Sequence, residues 1–129
     1  MIIVGLALAA IAALIHVFIF YLESIAWTGP RARATFGIGS VEEARPLQGL
    51  AFNQGFYNLF LAVAVFLGIG FVAAGQTAIG ATLVFTGAGS MVAASLVLLL
   101  SDRSKAGAAL KQGVIPALGV VALAIGLLV

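Results

Sequence analysis

Residues 2–27, IIVGLALAAIAALIHVFIFYLESIAW, decide the fold. No Lys or Arg interrupts the run, and about 20 apolar residues are enough for a helix to cross the hydrocarbon core of a bilayer. His16 and Glu23 are the residues within it that can carry a charge near neutral pH. A charge at bilayer centre costs about 2.5–3.5 kcal/mol on insertion scales, so such residues are retained for a partner or a task. Thr28-Gly29-Pro30 ends the segment, because Gly and Pro interrupt helices. Tyr21 and Trp27 stand toward that end, where amphipathic rings favour the interface.

Three further segments of spanning length follow, about 47–73, 78–100 and 107–129. They are separated by a polar stretch over 28–46, a tight turn at Ala74-Gly75-Gln76-Thr77, and a turn at Ser101-Asp102-Arg103-Ser104-Lys105. Within the first stretch, Ser40-Val41-Glu42-Glu43 matches a capping box, so a short helix is expected to start there. Pro46 suits the first turn of the helix after it. The predicted fold is all-α: a polytopic membrane protein, a four-transmembrane-helix bundle forming one domain over residues 1–129. Composition agrees, with 64% hydrophobic and 8% charged residues against about 25% charged in a soluble domain. No strand-like alternation is long enough for a barrel. The first segment lacks the basic start of a signal peptide and is too long for one, so it is expected to remain as a span. Without cysteine, disulfides, iron–sulfur clusters and thiolate zinc sites are excluded.

Orientation follows from the charges. Arg31, Arg33 and Arg45 lie in one polar stretch, and Arg103, Lys105 and Lys111 in or beside the other. The termini and the 74–77 turn hold no Lys or Arg. The positive-inside rule then places both basic loops in the cytoplasm and both termini outside. The net charge of +2 reads as orientation and contact with anionic headgroups, not as a nucleic-acid surface. Gln48-Gly49 and Gln112-Gly113 sit at matching places in the two halves and hint at a two-helix repeat.

The polar residues inside the spans carry whatever chemistry there is. His16 and Glu23 are seven apart, which puts them within about 20° of one helix face. On the second span, Asn53, Gln54, Tyr57 and Asn58 occupy one arc about 140° wide. Amides and hydroxyls cannot face lipid without losing partners, so this arc is expected to point inward. Counted from the shared cytoplasmic loop, Glu23 and Asn53 lie at similar depth. One cavity is expected to hold Glu23, Asn53, Gln54, Tyr57, Asn58 and His16, with Gln112, Ser90 and Ser95 as further lining. Pro116 frees a carbonyl one turn earlier, near Gln112. Thr82 and Thr86 are expected to bond their own backbone. Gly87, Ser90 and Ala94, like Gly119, Ala122 and Gly126, read as close-packing stripes, and such stripes on spans three and four offer a surface for a homo-oligomer.

His16, Phe20, Glu23 and Trp27, then Phe36-Gly37, then Asn53-Gln54-Gly55-Phe56-Tyr57-Asn58 and a closing Gln112-Gly113 resemble a bacterial family of small four-span membrane proteins of unknown function, domain of unknown function 1304. The resemblance covers essentially the whole chain. It implies a helical four-span fold and brings no substrate.

The functional expectation is a buried polar pocket for a small amphipathic or lipid-like ligand entering from the inner leaflet, with membrane lipids as partners. Glu23 is the candidate acid or base and His16 the candidate proton relay. Asn53, Gln54, Tyr57, Asn58 and Gln112 are the candidate ligand-binding groups. No cofactor is called for, and one His with one carboxylate falls below the three protein ligands usual for catalytic zinc. Two alternatives stand beside this reading. One is a proton-coupled small-molecule transporter in which Glu23 alternates between proton and substrate. The other is a structural or partner-binding bundle.

Overall fold

The computed structural model describes residues 1–129, and every regular element in it is helical. Helix α1 (Ile2–Phe20) runs without a break into a π-helical turn at Tyr21–Ile25. Two short helices follow, α2 (Pro30–Phe36) and α3 (Val41–Ala44), and a 3-10 turn at Arg45–Leu47 leads into α4 (Gln48–Ala73). Helix α5 (Thr77–Ser101), a 3-10 turn at Arg103–Lys105 and α6 (Ala106–Leu128) complete the chain. Four helical runs, Ile2–Ile25, Val41–Ala73, Thr77–Ser101 and Arg103–Leu128, are long and apolar enough to cross a membrane.

The opening helical run ends at Ile25, close to the expected bound. One expectation about the first connection needs correction: the 28–46 stretch holds two short helices, not one. Pro30 begins α2 instead of merely ending what precedes it, since a missing N–H costs nothing at the first helical position. The capping box at Ser40 is half formed. Ser40 Oγ accepts from the Glu43 amide at 3.1 Å, but the Glu43 carboxylate accepts from the Gly39 amide at 3.0 Å, one residue before the cap. Two glycines take the left-handed conformation that closes helices. Gly37 (φ 70°) ends α2, and Gly75 (φ 81°) ends α4, with Gln76 N–H reaching back to the Phe71 carbonyl at 2.9 Å.

The chain divides into two compact units, residues 1–15 with 61–129, and residues 16–60. In the first unit the helices touch through missing side chains. A Cβ on Gly5 would stand 2.5 Å from the Leu123 amide, and one on Gly119 would stand 3.0 Å from that of Ala9. Those two contacts seat α1 on α6. Gly68 and Gly80 face each other across α4 and α5, where a Cβ on either would come within 2.7 Å of the other's carbonyl. Gly113 lies against Ser95, whose hydroxyl donates to the Ala109 carbonyl at 2.6 Å and fastens α5 to α6. Where lipid is as oily as the protein, such close approach supplies the dispersion contacts that association requires.

The Gly119–Ala122–Gly126 stripe therefore packs within the protomer. Of the stripe expected on span three, Gly87 is buried whereas Ser90 and Ala94 are exposed on the single chain, and the buried face of α5 runs through Gly80, Val84, Gly87, Met91 and Ser95. Thr82 and Thr86 donate to the carbonyls of Ala78 and Thr82, each at 2.8 Å, as expected of lone hydroxyls on a membrane helix. The hinted repeat has no structural counterpart at its glycines, because Gly113 is packed against Ser95 whereas nothing lies within 4 Å of a Cβ on Gly49.

A candidate pocket around Glu23

The second unit, residues 16–60, is built around the π-helical turn. There the Ala26 amide reaches the Tyr21 carbonyl at 2.9 Å, five residues back. Within this turn the consecutive residues Leu22 and Glu23 are both buried, at 1% and 8% exposure. Such π turns inside helices occur frequently at functional sites.

Helix α4 meets this turn at Gly55. A Cβ there would collide with Ser24 Oγ and would come within 3.1 Å of both the Phe20 carbonyl and Glu23 Cβ. Ser24 Oγ in turn donates to the Phe52 carbonyl at 2.8 Å. The rings of Phe20 and Phe56 meet edge to face at 5.1 Å beside it. This crossing sets the depth at which Asn58 meets Glu23: Asn58 Nδ2 donates to Glu23 Oε2 at 2.8 Å and to the Gln54 carbonyl at 3.3 Å. Both amide hydrogens of Asn58 are thereby used.

Trp27 closes the other side. Its indole N–H donates to the Ala44 carbonyl at 2.8 Å, and its ring packs on Phe36 at 5.3 Å. Ala44, Ala51, Phe36 and Ile38 complete this small core. Arg33 staples the loop beneath it, donating to the carbonyls of Thr28 at 3.2 Å and Gly39 at 3.0 Å. Arg31 places its guanidinium 4.9 Å above the Phe18 ring. At least two of the three arginines that set the charge bias of this loop thus also hold it in shape.

Between these walls lies a pocket of about 490 Å³, lined by Glu23, Trp27, Leu47, Leu50, Ala51, Asn53, Gln54 and Tyr57. Small-molecule sites typically occupy about 300–1,000 Å³ and combine apolar walls with a few polar groups. Glu23 and Trp27 are buried, whereas Leu47, Leu50, Asn53, Gln54 and Tyr57 are exposed. The pocket is accordingly an open cleft along α4, with a single acid among its buried lining.

The structure brings together Glu23, Asn53, Gln54 and Tyr57 as lining, with Asn58 behind them holding the carboxylate. Asn53, Gln54 and Tyr57 do not point into a closed interior as expected; Tyr57 is 58% exposed. The physical reason is that α4 uses its small residues, Ala51 and Gly55, for packing, which leaves the wider amide-bearing arc outside. His16 is buried, at 3% exposure, and is not part of the lining. Gln112 lies half-buried on α6 in the first unit, next to Gly113, and Ser95 is committed to Ala109. Histidine, cysteine, aspartate and glutamate do not gather in threes anywhere in the protein. Leu47, Leu50, Ala51 and the lining role of Trp27 were not foreseen from sequence. The Ala51-x-x-x-Gly55 spacing is the signal that points to them, because small residues four apart mark a helix contact.

A family model described as "Protein of unknown function (DUF1304)" matches residues 10–124. No curated protein and no solved structure matches the chain. The match spans most of the 129 residues, so the chain belongs to that family.

Proposed function

We propose that this member of the family binds a small amphipathic or lipid-like molecule in the cleft of residues 16–60, with the two basic loops on the cytoplasmic side of a bacterial inner membrane and the ligand entering from the inner leaflet. The observation that carries the reading is a buried carboxylate, held by one amide at 2.8 Å, in the lining of a cleft of about 490 Å³. Trp27, Leu47, Leu50 and Ala51 offer apolar wall for a tail. Asn53, Gln54 and Tyr57 offer hydrogen bonds along the rim. Glu23 is the group placed to exchange a proton with a bound molecule, and neither His16 nor Gln112 is needed for binding.

Native mass spectrometry of protein extracted in mild detergent tests this. A bound hydrophobic species at one per protomer is expected. Gln54→Trp adds bulk at an exposed rim position and should remove that species while leaving the thermal transition in place. Protein that never carries such a species, or Gln54→Trp protein that carries it equally, would overturn the reading.

A further inference from the structure

The cleft is asymmetric in a way that specifies the head group it takes. Glu23 Oε2 is occupied by Asn58, and no donor of the protein is bonded to Oε1. No side-chain nitrogen or oxygen is both fully buried and without a partner, so Oε1 keeps some exposed surface. Its residue is 8% exposed and lines the cleft. The carboxylate therefore presents one uncommitted acceptor to whatever occupies the space. Trp27 has spent its N–H on Ala44, and what it offers the cleft is ring. The lining contains one acid and no Lys, Arg or His.

We infer that the ligand carries a cationic amine head, with N–H donors for Glu23 Oε1 and a positive charge set near the Trp27 ring, and an alkyl tail lying along Leu47 and Leu50. This rests on the proposed binding role and adds the chemical class. Burial with no protein cation among the lining disfavours a lone carboxylate charge, so a cationic head is the partner that favours the ionised form and then binds it strongly, which discriminates by charge. An aromatic face adds attraction for a cation and none for an anion. A carboxylate or phosphate head facing Glu23 meets like charge, and a hydroxyl head satisfies the acceptor but leaves the charge uncompensated. The amine could belong to a free long-chain amine or to a phosphatidylethanolamine of the bilayer; the chemistry that recognises them is the same.

Trp27 is the single tryptophan of the chain, which makes the test direct. Bromine-tailed alkyl amine, alkyl alcohol and alkyl carboxylate of one chain length are titrated into the wild-type protein in neutral detergent, and quenching of Trp27 is followed. The amine is expected to quench at a concentration roughly tenfold or more below the alcohol, and the carboxylate least well. In Glu23→Gln protein the preference for amine over alcohol should vanish. Equal quenching by all three heads, or a preference for the carboxylate, overturns the amine assignment while the binding reading stands. No quenching beyond that given by a brominated detergent overturns both. The wild-type comparison decides even if Glu23→Gln does not fold. In nanodiscs, stronger quenching by acyl-brominated phosphatidylethanolamine than by the matching phosphatidylcholine upholds the assignment with a bilayer lipid as source. Equal quenching there, with the alkyl-amine preference intact, upholds it with a free amine as source.

Discussion

Replacing Gly55 by alanine perturbs the one crossing on which the cleft depends. The added methyl would collide with Ser24 Oγ and would stand 3.1 Å from the Phe20 carbonyl and Glu23 Cβ. The hydroxyl can rotate away, at the loss of its bond to the Phe52 carbonyl, and an interhelical hydrogen bond in a membrane protein is worth about 0.6 kcal/mol on average. The two backbone-linked contacts cannot rotate, so α4 must shift by a few tenths of an ångström, and overpacking of this kind costs about 1–3 kcal/mol. Gly55→Ala should therefore cost about 2 kcal/mol, a factor of roughly 30 in the folding constant. Ser24→Ala alone should cost about 0.6 kcal/mol. In the double variant that hydrogen bond is lost only once and the two fixed contacts remain, so the loss should stay at about 2 kcal/mol, short of the sum of the single losses, as expected for residues in contact. Gly49→Ala is the control, because nothing lies within 4 Å of its Cβ and alanine favours helix over glycine by up to about 1 kcal/mol. Reversible unfolding in mixed micelles, followed by Trp27 fluorescence, measures all four. Gly55→Ala within about 0.5 kcal/mol of wild type, or strict additivity in the double variant, would refute the close-crossing argument.

Three further outcomes are expected. Trp27→Phe keeps the ring but strips the donor from the Ala44 carbonyl; a loss of about 1–3 kcal/mol, with faster amide exchange across 41–47, is the result to look for, and wild-type exchange there would count against the bond. Asp102 accepts from the Ser104 hydroxyl at 2.6 Å and from its amide at 3.0 Å, which holds its carboxyl below the ordinary 3.8; because the folded value is the lower one, this stabilisation is present above 3.8 and fades as pH falls through the folded value, so the melting-temperature gap between wild type and Asp102→Ala should be full at neutral pH and close in strong acid. The chain has no cysteine, so single-cysteine variants at Arg33 and Arg103 give unambiguous labelling; protection from an impermeant reagent in intact cells is expected at both, and labelling from outside would invert the orientation.

The four spans were legible because their signal is redundant. Length, absence of charge and the placement of six basic residues each give the same answer, and the helices α4, α5 and α6 begin and end within a residue or two of the expected bounds. The short elements were less legible for a specific reason. Pro30 signals both an ending and a beginning, and only the path of the chain decides which. The π turn left no mark either, since Tyr21-Leu22-Glu23-Ser24-Ile25 is compatible with an ordinary helix. The buried face of α5 was only partly placed because small residues occur all around that helix, so no single stripe stands out. Its position is set by which glycines find a neighbour's backbone, as Gly80 finds Gly68 and Gly87 finds the Leu61 carbonyl.

The polar part of the cleft lining was legible; its apolar wall and its shape were not. Polarity at membrane depth singled out Glu23 and the Asn53–Asn58 arc, because such groups must find partners. Which of them turn inward is a contest for space that polarity does not settle. Ala51 and Gly55 are the narrowest residues on their part of α4, and close packing claims them first. Asn58 lies about 60° from Gly55 on the helix, near enough to that contact to reach Glu23. Asn53 and Tyr57 lie well over 100° from it and fall on the open side. Across the crossing, the π turn that follows α1 carries Glu23 and Leu22, both buried. One buried acid beside an exposed row of amides follows from that sorting. The arrangement is graded, apolar and aromatic at the wall, amide at the rim and a carboxyl among the buried lining, and the proposed ligand is amphipathic because only such a molecule matches that gradient along its length.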